Sequence, residues 1–240
     1  MKFLLFPALF LISISGRTQN LQLHYDVRHT IDPKLNSTNF PSFTFEYFKN
    51  IDTISTGSFL LKLQADLNGK DNNVGQVYTQ ISQSLKFWKP KIFISFYYSG
   101  GLGVTPSSFG FYIANSLGIG PAVPFQLGGA WISTSLSFRI SFFDRRSYDP
   151  MATVYFGKGF FNYRIFTAGS FTFWTENRNQ GNDYTRDLKG KKFSFFGDPQ
   201  IWFKIKNGIS AGSRINVYYQ VLTNNNRIQL YPTIGVKYQF

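Results

Sequence analysis

Apolar and polar residues alternate with a period of two over long stretches of this chain. In residues 21–28 the odd positions hold Leu, Leu, Tyr and Val, and the even positions hold Gln, His, Asp and Arg. The same alternation runs through residues 57–68, 131–142 and 209–222. Successive side chains of a β-strand point to opposite faces. The pattern therefore predicts an all-β protein whose strands have one apolar and one polar face.

The number and length of these segments favour a membrane barrel over a soluble sandwich. Most of them are longer than the roughly 5 or 6 residues of a soluble strand and suit a tilted membrane strand. An even number of strands is typical of single-chain bacterial barrels. The expected fold is a transmembrane antiparallel β-barrel of about 12 strands, at residues 21–28, 40–49, 57–68, 76–87, 92–100, 110–120, 130–143, 151–158, 163–176, 193–205, 209–222 and 227–240.

The connections between these strands alternate in length. Short turns are predicted at residues 50–56, 88–91, 159–162 and 206–208. Longer, more polar loops are predicted at residues 29–39, 99–109, 144–150 and 177–192. In outer-membrane barrels the short turns face the periplasm and the long loops face outward. We expect the same orientation here, with both chain ends on the periplasmic side.

The N-terminal residues have the three regions of a secretory signal. Met1 and Lys2 supply a positive start, residues 3–14 are apolar, and small residues follow. The apolar run is shorter than the roughly 20 residues of a spanning helix, which favours a cleaved signal over an anchor. We expect a signal peptide over residues 1–18 and a mature barrel over residues 19–240. The chain has no cysteine, so disulfides cannot stabilise the exported product.

The C-terminal strand indicates how and where the protein is inserted. It alternates up to the last residue, Phe240. A terminal aromatic residue on such a strand resembles the signal that barrel-assembly machinery recognises. The expected location is the cell outer membrane, with lipid and lipopolysaccharide as surroundings. We expect a monomer that binds small solutes and not nucleic acid.

Residues suited to catalysis are few. The chain has two histidines, His24 and His29, and their odd spacing places them on opposite faces of a continuing strand. A metal pair is therefore not expected. Outer-membrane phospholipases are also twelve-stranded, but their serine and histidine face lipid, whereas His24 shares a polar face with Asp26. We expect no enzyme activity and no cofactor.

If the apolar faces contact lipid, the polar faces line the lumen. A twelve-stranded barrel is wider than the eight-stranded kind that its own side chains fill, so a narrow passage is expected; charges that pair and plug the lumen are the alternative. Aromatic rings beside hydrogen-bonding groups suit flat solutes such as nucleosides or sugars. The candidate substrate-binding residues are His24, Asp26, Glu46, Lys62, Asp66, Arg139, Trp174, Asp198, Trp202, Arg214 and Tyr218. The same parity also predicts inward positions for Arg28, Tyr78, Lys86, Trp131, Arg164, Glu176, Lys204, Tyr231 and Lys237.

Two family resemblances extend this interpretation. Residues 43–48, FTFEYF, followed by a turn and the strand that ends at Ala65 and Asp66, resemble the early strands of Tsx-type nucleoside-specific channels. The segments LQLHYD at 21–26, GKGFFNY at 157–163 and KGKKFSF at 189–195 resemble an uncharacterised family of Bacteroidota outer-membrane barrels. The Tsx resemblance implies nucleoside uptake and assigns Glu46 and Asp66 to ligand contacts. The expected function is passive uptake of small solutes through a channel-like barrel, with nucleosides as the candidate class. The alternative is a plugged structural barrel or a partner subunit of an envelope assembly, without transport activity.

Overall fold

The structure, a computed structural model, describes residues 19–49, 57–86, 91–105, 107–221 and 226–240. The predicted signal peptide lies outside the described residues, as do the predicted turn at residues 50–56 and most of the turn at residues 88–91. Thirteen strand segments form one antiparallel sheet. Their bounds are β1 Gln19–Asp26, β2 Phe40–Lys49, β3 Phe59–Asp66, β4 Gln76–Leu85, β5 Phe93–Val104, β6 Gly110–Leu127, β7 Ala130–Ser141, β8 Ser147–Phe160, β9 Ile165–Asn177, β10 Lys191–Gly197, β11 Gln200–Lys206, β12 Ile209–Tyr219 and β13 Ile228–Gln239.

The sheet closes on itself. β1 pairs with β13, with Leu23 opposite Val236. Segments β10 and β11 both pair with β9 on one side and β12 on the other, so together they form one strand of the wall. The wall therefore has twelve strands, and the predicted barrel is confirmed. Full closure leaves no strand edge whose backbone N–H and C=O groups would lack hydrogen-bond partners in lipid.

The tenth strand of the wall was expected to be continuous over residues 193–205 but is interrupted at Asp198 and Pro199. Pro199 has no N–H to donate to the ladder. Backbone bonds continue around it, from Asp198 N to Ser170 O at 3.0 Å and from Ile215 N to Pro199 O at 2.9 Å. The facing residue is Gly169, where an added Cβ would lie 2.8 Å from Asp198 O and from Pro199 Cα. The interruption therefore depends on a glycine in the facing strand.

Solvent exposure alternates along the wall as the sequence pattern predicts. In β1, Leu21, Leu23 and Tyr25 are 45%, 46% and 50% exposed, whereas the even residues from Gln22 to Asp26 are at most 2% exposed. Leu136 and Phe138 of β7 face outward in the same way, and Ser137 between them is buried. The outer surface is thus an apolar belt, and the polar faces meet inside. Among the described residues, no helix is long and apolar enough to span a membrane.

The two ends of the barrel differ. The terminus rim, where β1 begins and β13 ends, has turns at residues 128–129, 161–164 and 207–208. The loop rim has its longest connections at residues 27–39 and 178–190; the former holds the short helix α1, Arg28–Ile31. Two predicted long loops are wrong. β5 continues to Val104, and β8 begins at Ser147, because Pro150 sits within the ladder opposite Phe138 instead of ending the strand.

Candidate functional site

The barrel interior is mainly polar. The buried apolar or aromatic side chains among the described residues are Phe40, Ala122, Met151, Trp202 and Tyr231. Serines, threonines, amides and charged groups make up the far longer buried polar set. Buried polar groups are costly unless they are hydrogen-bonded, so the partners of each charged group determine which part of the lumen is packed and which can receive a solute.

A cavity of about 550 Å³ occupies the half of the lumen nearer the terminus rim. It reaches the rim at Asn20, Tyr163 and Gly208 and extends inward to Gln80 and Asp198. Its aromatic side chains are Phe48, Trp131, Tyr155, Tyr163, Phe166 and Trp202, and its charged groups are Glu46, Lys62, Asp198, Lys204 and Lys237. The volume lies within the roughly 300–1,000 Å³ range of small-molecule sites.

An ion pair crosses the lumen at the inner end of this cavity. Lys62 Nζ lies 2.5 Å from Asp198 Oδ2, and both side chains are buried. On one side β2, β1, β13 and β12 separate the two residues, and on the other side β4 to β9 separate them, so the pair joins nearly opposite walls. Asp198 Oδ1 also accepts hydrogen bonds from Ser170 N and Ser170 Oγ, each at 2.8 Å. The pair is therefore held firmly from the β9 side.

Beyond this pair, toward the loop rim, charged side chains form a packed network. Glu176 accepts from Trp174 Nε1 at 3.1 Å and forms ion pairs with Arg139 at 3.5 Å and Lys192 at 3.0 Å. The Arg139 guanidinium also lies over the Trp174 ring and donates to Ser116 Oγ at 2.8 Å. These contacts occupy the loop-rim half on the β7–β10 side.

The opposite side of the loop-rim half is closed by a second set of contacts. Arg28 donates to both carboxylate oxygens of Asp26, at 3.1 and 2.8 Å, and its guanidinium lies over the Tyr231 ring at 5.0 Å. Tyr231 in turn packs against Tyr218, with ring centroids 6.0 Å apart. Asp66 accepts from Gln64 Nε2 at 2.8 Å. Charges of both signs thus fill this half of the barrel.

Two basic side chains lie at mid-height. His24 is hydrogen-bonded through both ring nitrogens, to Thr233 Oγ1 and Gln22 Oε1 at 2.8 Å each, and its ring contacts the edge of Trp202. Arg214 is 1% exposed and donates through Nη1 to Thr44 Oγ1 at 3.3 Å. Its Nε and Nη2 atoms have no hydrogen-bond partner. His24 is therefore satisfied, whereas Arg214 has unused donors.

The predicted candidates all face the lumen but do not form one site. Glu46, Lys62, Asp198 and Trp202 line the cavity. Asp26, Asp66, Arg139, Trp174 and Tyr218 belong to the packed loop-rim half, and His24 and Arg214 lie between the two groups. The inward position expected for Arg164 is wrong, because β9 begins at Ile165 and leaves Arg164 exposed in the turn.

Sequence reasoning missed several interior residues. Asp149 was expected in a loop but is buried in β8, where Ser147, Thr175 and Lys191 bind its carboxylate. Alternation continued through Pro150 would have placed it inward. Gln22, Gln80 and Tyr155 also line the cavity, and Gln80 Nε2 donates to Tyr155 Oη at 3.0 Å. Their inward parity was readable, but nothing local distinguished them from other lumenal polar residues.

Metal binding finds no support in the part of the chain that the structure describes, since no group of three or more His, Asp or Glu side chains there could hold an ion. The chemistry available in the cavity is hydrogen bonding, charge and ring stacking. Trp202 shows two of these: Nε1 donates to Gln200 Oε1 at 2.9 Å, and Lys237 Nζ lies 4.6 Å from a Trp202 ring centroid.

Comparisons with known proteins agree with this architecture. Residues 18–240 match the family described as Domain of unknown function (DUF5020), and the chain belongs to that family. No curated protein matches it. The NanC porin structure aligns with a TM-score of 0.54 at 9% identity, over 92% of this chain and 100% of that one. LpxR from Salmonella typhimurium aligns at 0.48 with 8% identity, and the KdgM porin at 0.45 with 9%; each covers 92% of this chain, and 100% and 99% of its own.

At such identities the likeness concerns the fold. A closed twelve-stranded barrel with an apolar outer belt and a polar interior is an outer-membrane protein. The expected location is therefore confirmed. The Bacteroidota origin and the relationship to Tsx-type channels stay predictions.

Proposed function

We propose that this member of the DUF5020 family is a non-enzymatic outer-membrane channel that takes small solutes into its lumen, with nucleosides as the first class to test. The observation that carries the proposal is the cavity at the terminus rim. It combines a volume suited to a small molecule with aromatic walls and polar groups at its inner end. The apolar belt outside it would hold this cavity within the bilayer.

Nucleosides suit this lining for two reasons. Phe48 and Trp131 form an edge-to-face pair with ring centroids 5.5 Å apart, and both line the cavity, so they offer a surface for a base. Glu46 supplies acceptors for base edges or ribose hydroxyls. Glu46 is half-buried, and its carboxylate accepts a long hydrogen bond of 3.4 Å from Asn20 Nδ2. Its carboxylate therefore retains capacity for a ligand.

The Lys62–Asp198 pair crosses the lumen at the inner end of the cavity. Removing one partner would leave the other charge buried and unpaired, which is strongly destabilising. The test is therefore the double variant Lys62→Ala, Asp198→Ala, compared with wild type in planar bilayers. We expect wild type to show a small unit conductance and the double variant a larger one, because an ion pair that crosses the lumen is removed.

A matched control is the exposed pair Arg186 and Asp183, 3.5 Å apart in the loop at residues 178–190. Arg186→Ala, Asp183→Ala removes the same two charges outside the lumen and should leave conductance unchanged. Uridine flux into proteoliposomes would then test the nucleoside class, with Glu46→Gln expected to reduce it. Absence of conductance in wild type and in the Lys62, Asp198 double variant would overturn the channel proposal.

The packed loop-rim half favours a second candidate function. The Glu176 network and the Asp26–Arg28 pair fill the lumen there as they would in a plugged structural barrel or a partner subunit of an envelope assembly. In that case the double variant would stay closed. Folded protein would then be expected to purify with other envelope components.

A further inference from the structure

Charge is distributed unevenly along the barrel axis. In the described part of the chain, Glu46 is the one acidic side chain near the terminus rim. The basic side chains at that rim are Lys49, Lys86, Lys91, Lys158, Arg164, Lys204, Lys206 and Lys237. The other described carboxylates lie at mid-height or near the loop rim. A mouth lined by one sign of charge concentrates solutes of the opposite sign, so the cavity lies behind an entrance that attracts anions.

Inside the cavity, positive charge is also in excess. The Lys62 ammonium is neutralised by Asp198. Neither Lys204 nor Lys237 forms an ion pair with any residue that the structure describes, although both line the cavity. Lys237 Nζ lies 5.5 Å from the Phe166 ring centroid as well as close to Trp202. Its ammonium is therefore positioned by aromatic faces, and Glu46 is near enough to act on it electrostatically without forming an ion pair.

The third observation is Arg214, which lies at mid-height, between the cavity and the packed loop-rim half. Its Cα pairs across the sheet with Gln200, which lines the cavity, and it lies close enough to Asp198 and His24 to interact with them electrostatically. Two of its nitrogen atoms are buried without partners. Buried unmade hydrogen bonds are costly, and a guanidinium fork fits carboxylate and phosphate groups in two-pronged geometry.

We infer that the lumen selects small organic anions, a carboxylate or phosphate attached to a flat ring, over neutral compounds with the same ring. The ring stacks on the aromatic wall while the acidic group contacts Lys237 first. Arg214 is the second binding site, which the solute reaches when the Lys62–Asp198 ion pair separates. Several moderate sites in series allow a solute to enter and still leave. This inference rests on the proposed channel function and specifies its substrate class.

The test compares uridine 5′-monophosphate with uridine, which differ by the phosphate. Binding to wild type refolded in detergent micelles is followed by titration calorimetry. Uridine 5′-monophosphate should bind about tenfold more tightly than uridine, as one charge-assisted contact would give. Lys237→Gln should weaken binding of uridine 5′-monophosphate about tenfold and so remove most of this preference. Lys206→Gln, at the same rim but outside the cavity lining, is the charge-matched control and should preserve the preference.

Arg214 is tested by two variants, because the neutral one can fail to fold. Arg214→Lys keeps the charge but loses the fork and should weaken nucleotide binding by less than Arg214→Gln does. Equal affinities for the two ligands in wild type, or no binding of either, would overturn the inference. Nucleotide-selective binding without conductance would overturn the channel and keep the anion site. Conductance that is cation-selective in a KCl gradient, without nucleotide preference, would overturn the anion site and keep the channel.

Discussion

At the scale of single residues, the wall is built from neighbours that face different media. Leu136 of β7 is 59% exposed, and the adjacent Ser137 is 4% exposed. In the membrane the exposure of Leu136 becomes contact with lipid tails, whereas Ser137 lies against the polar interior. A charge at the outward position would therefore have to be placed in hydrocarbon, since rotation of the strand is prevented by pairing on both sides.

The first stability prediction concerns this position. Leu136 is near the middle of β7, so Leu136→Arg should lower the free energy of unfolding by about 2–4 kcal/mol in lipid vesicles. Phe161→Arg, in an exposed turn at the terminus rim, should cost only about 0–1 kcal/mol because the rim lies near the interface. Urea titrations monitored by tryptophan fluorescence would measure both. Equal losses would mean that the apolar belt does not contact lipid tails.

The sequence predicts which face of a strand each residue occupies, but not which residues meet in the lumen. Alternation is local, so it correctly placed His24, Lys62 and Arg214 on inward faces. It could not predict contacts across the lumen: Lys62 and Asp198 are 136 positions apart, and their meeting depends on the stagger of the whole barrel. Nor could parity separate the cavity residues from those of the packed half, since both groups share the same inward pattern.

At the scale of elements, the interrupted strand formed by β10 and β11 is the main departure from regular geometry. Asp198 has to turn its carboxylate inward to meet Lys62 and Ser170, and Pro199 follows it directly. The sequence predicted one strand here because residues on both sides alternate. The interruption depends on close approach of β9, which only the assembled sheet shows.

Gly169 is the residue of β9 that permits this approach. Gly169→Ala should lower the free energy of unfolding by about 1–3 kcal/mol, as expected when a methyl group is forced into packed atoms. Gly157→Ala is the control on the adjacent strand, where the nearest atom to an added Cβ is Phe166 Cζ at 3.4 Å. Unfolding titrations of the two variants should differ clearly. A Gly169→Ala barrel as stable as the Gly157→Ala barrel would show that the backbone at the interruption can shift away from the methyl group without loss of stability.

At the scale of the whole molecule, the two rims should face different compartments. The chain has no cysteine, so single cysteines can report orientation. Tyr184→Cys, almost fully exposed in the loop at residues 178–190, should react with a membrane-impermeant maleimide on intact cells. Asn207→Cys, in the turn of the terminus rim, should react only after the outer membrane is permeabilised. The opposite labelling would place the cavity mouth at the cell exterior.

The Lys62–Asp198 pair also has a consequence for the order in which the barrel is assembled. Lys62 belongs to the third strand of the wall and Asp198 to the tenth, so the ammonium cannot pair with Asp198 until most of the sheet has been added. The hydrogen bond between His24 and Thr233, which are 209 positions apart, forms later still. An unfinished barrel must therefore keep these groups hydrated, and its interior dries at mid-height only when the last strands arrive. Protection of Lys62 from an amine-reactive reagent would thus date the moment of closure during insertion.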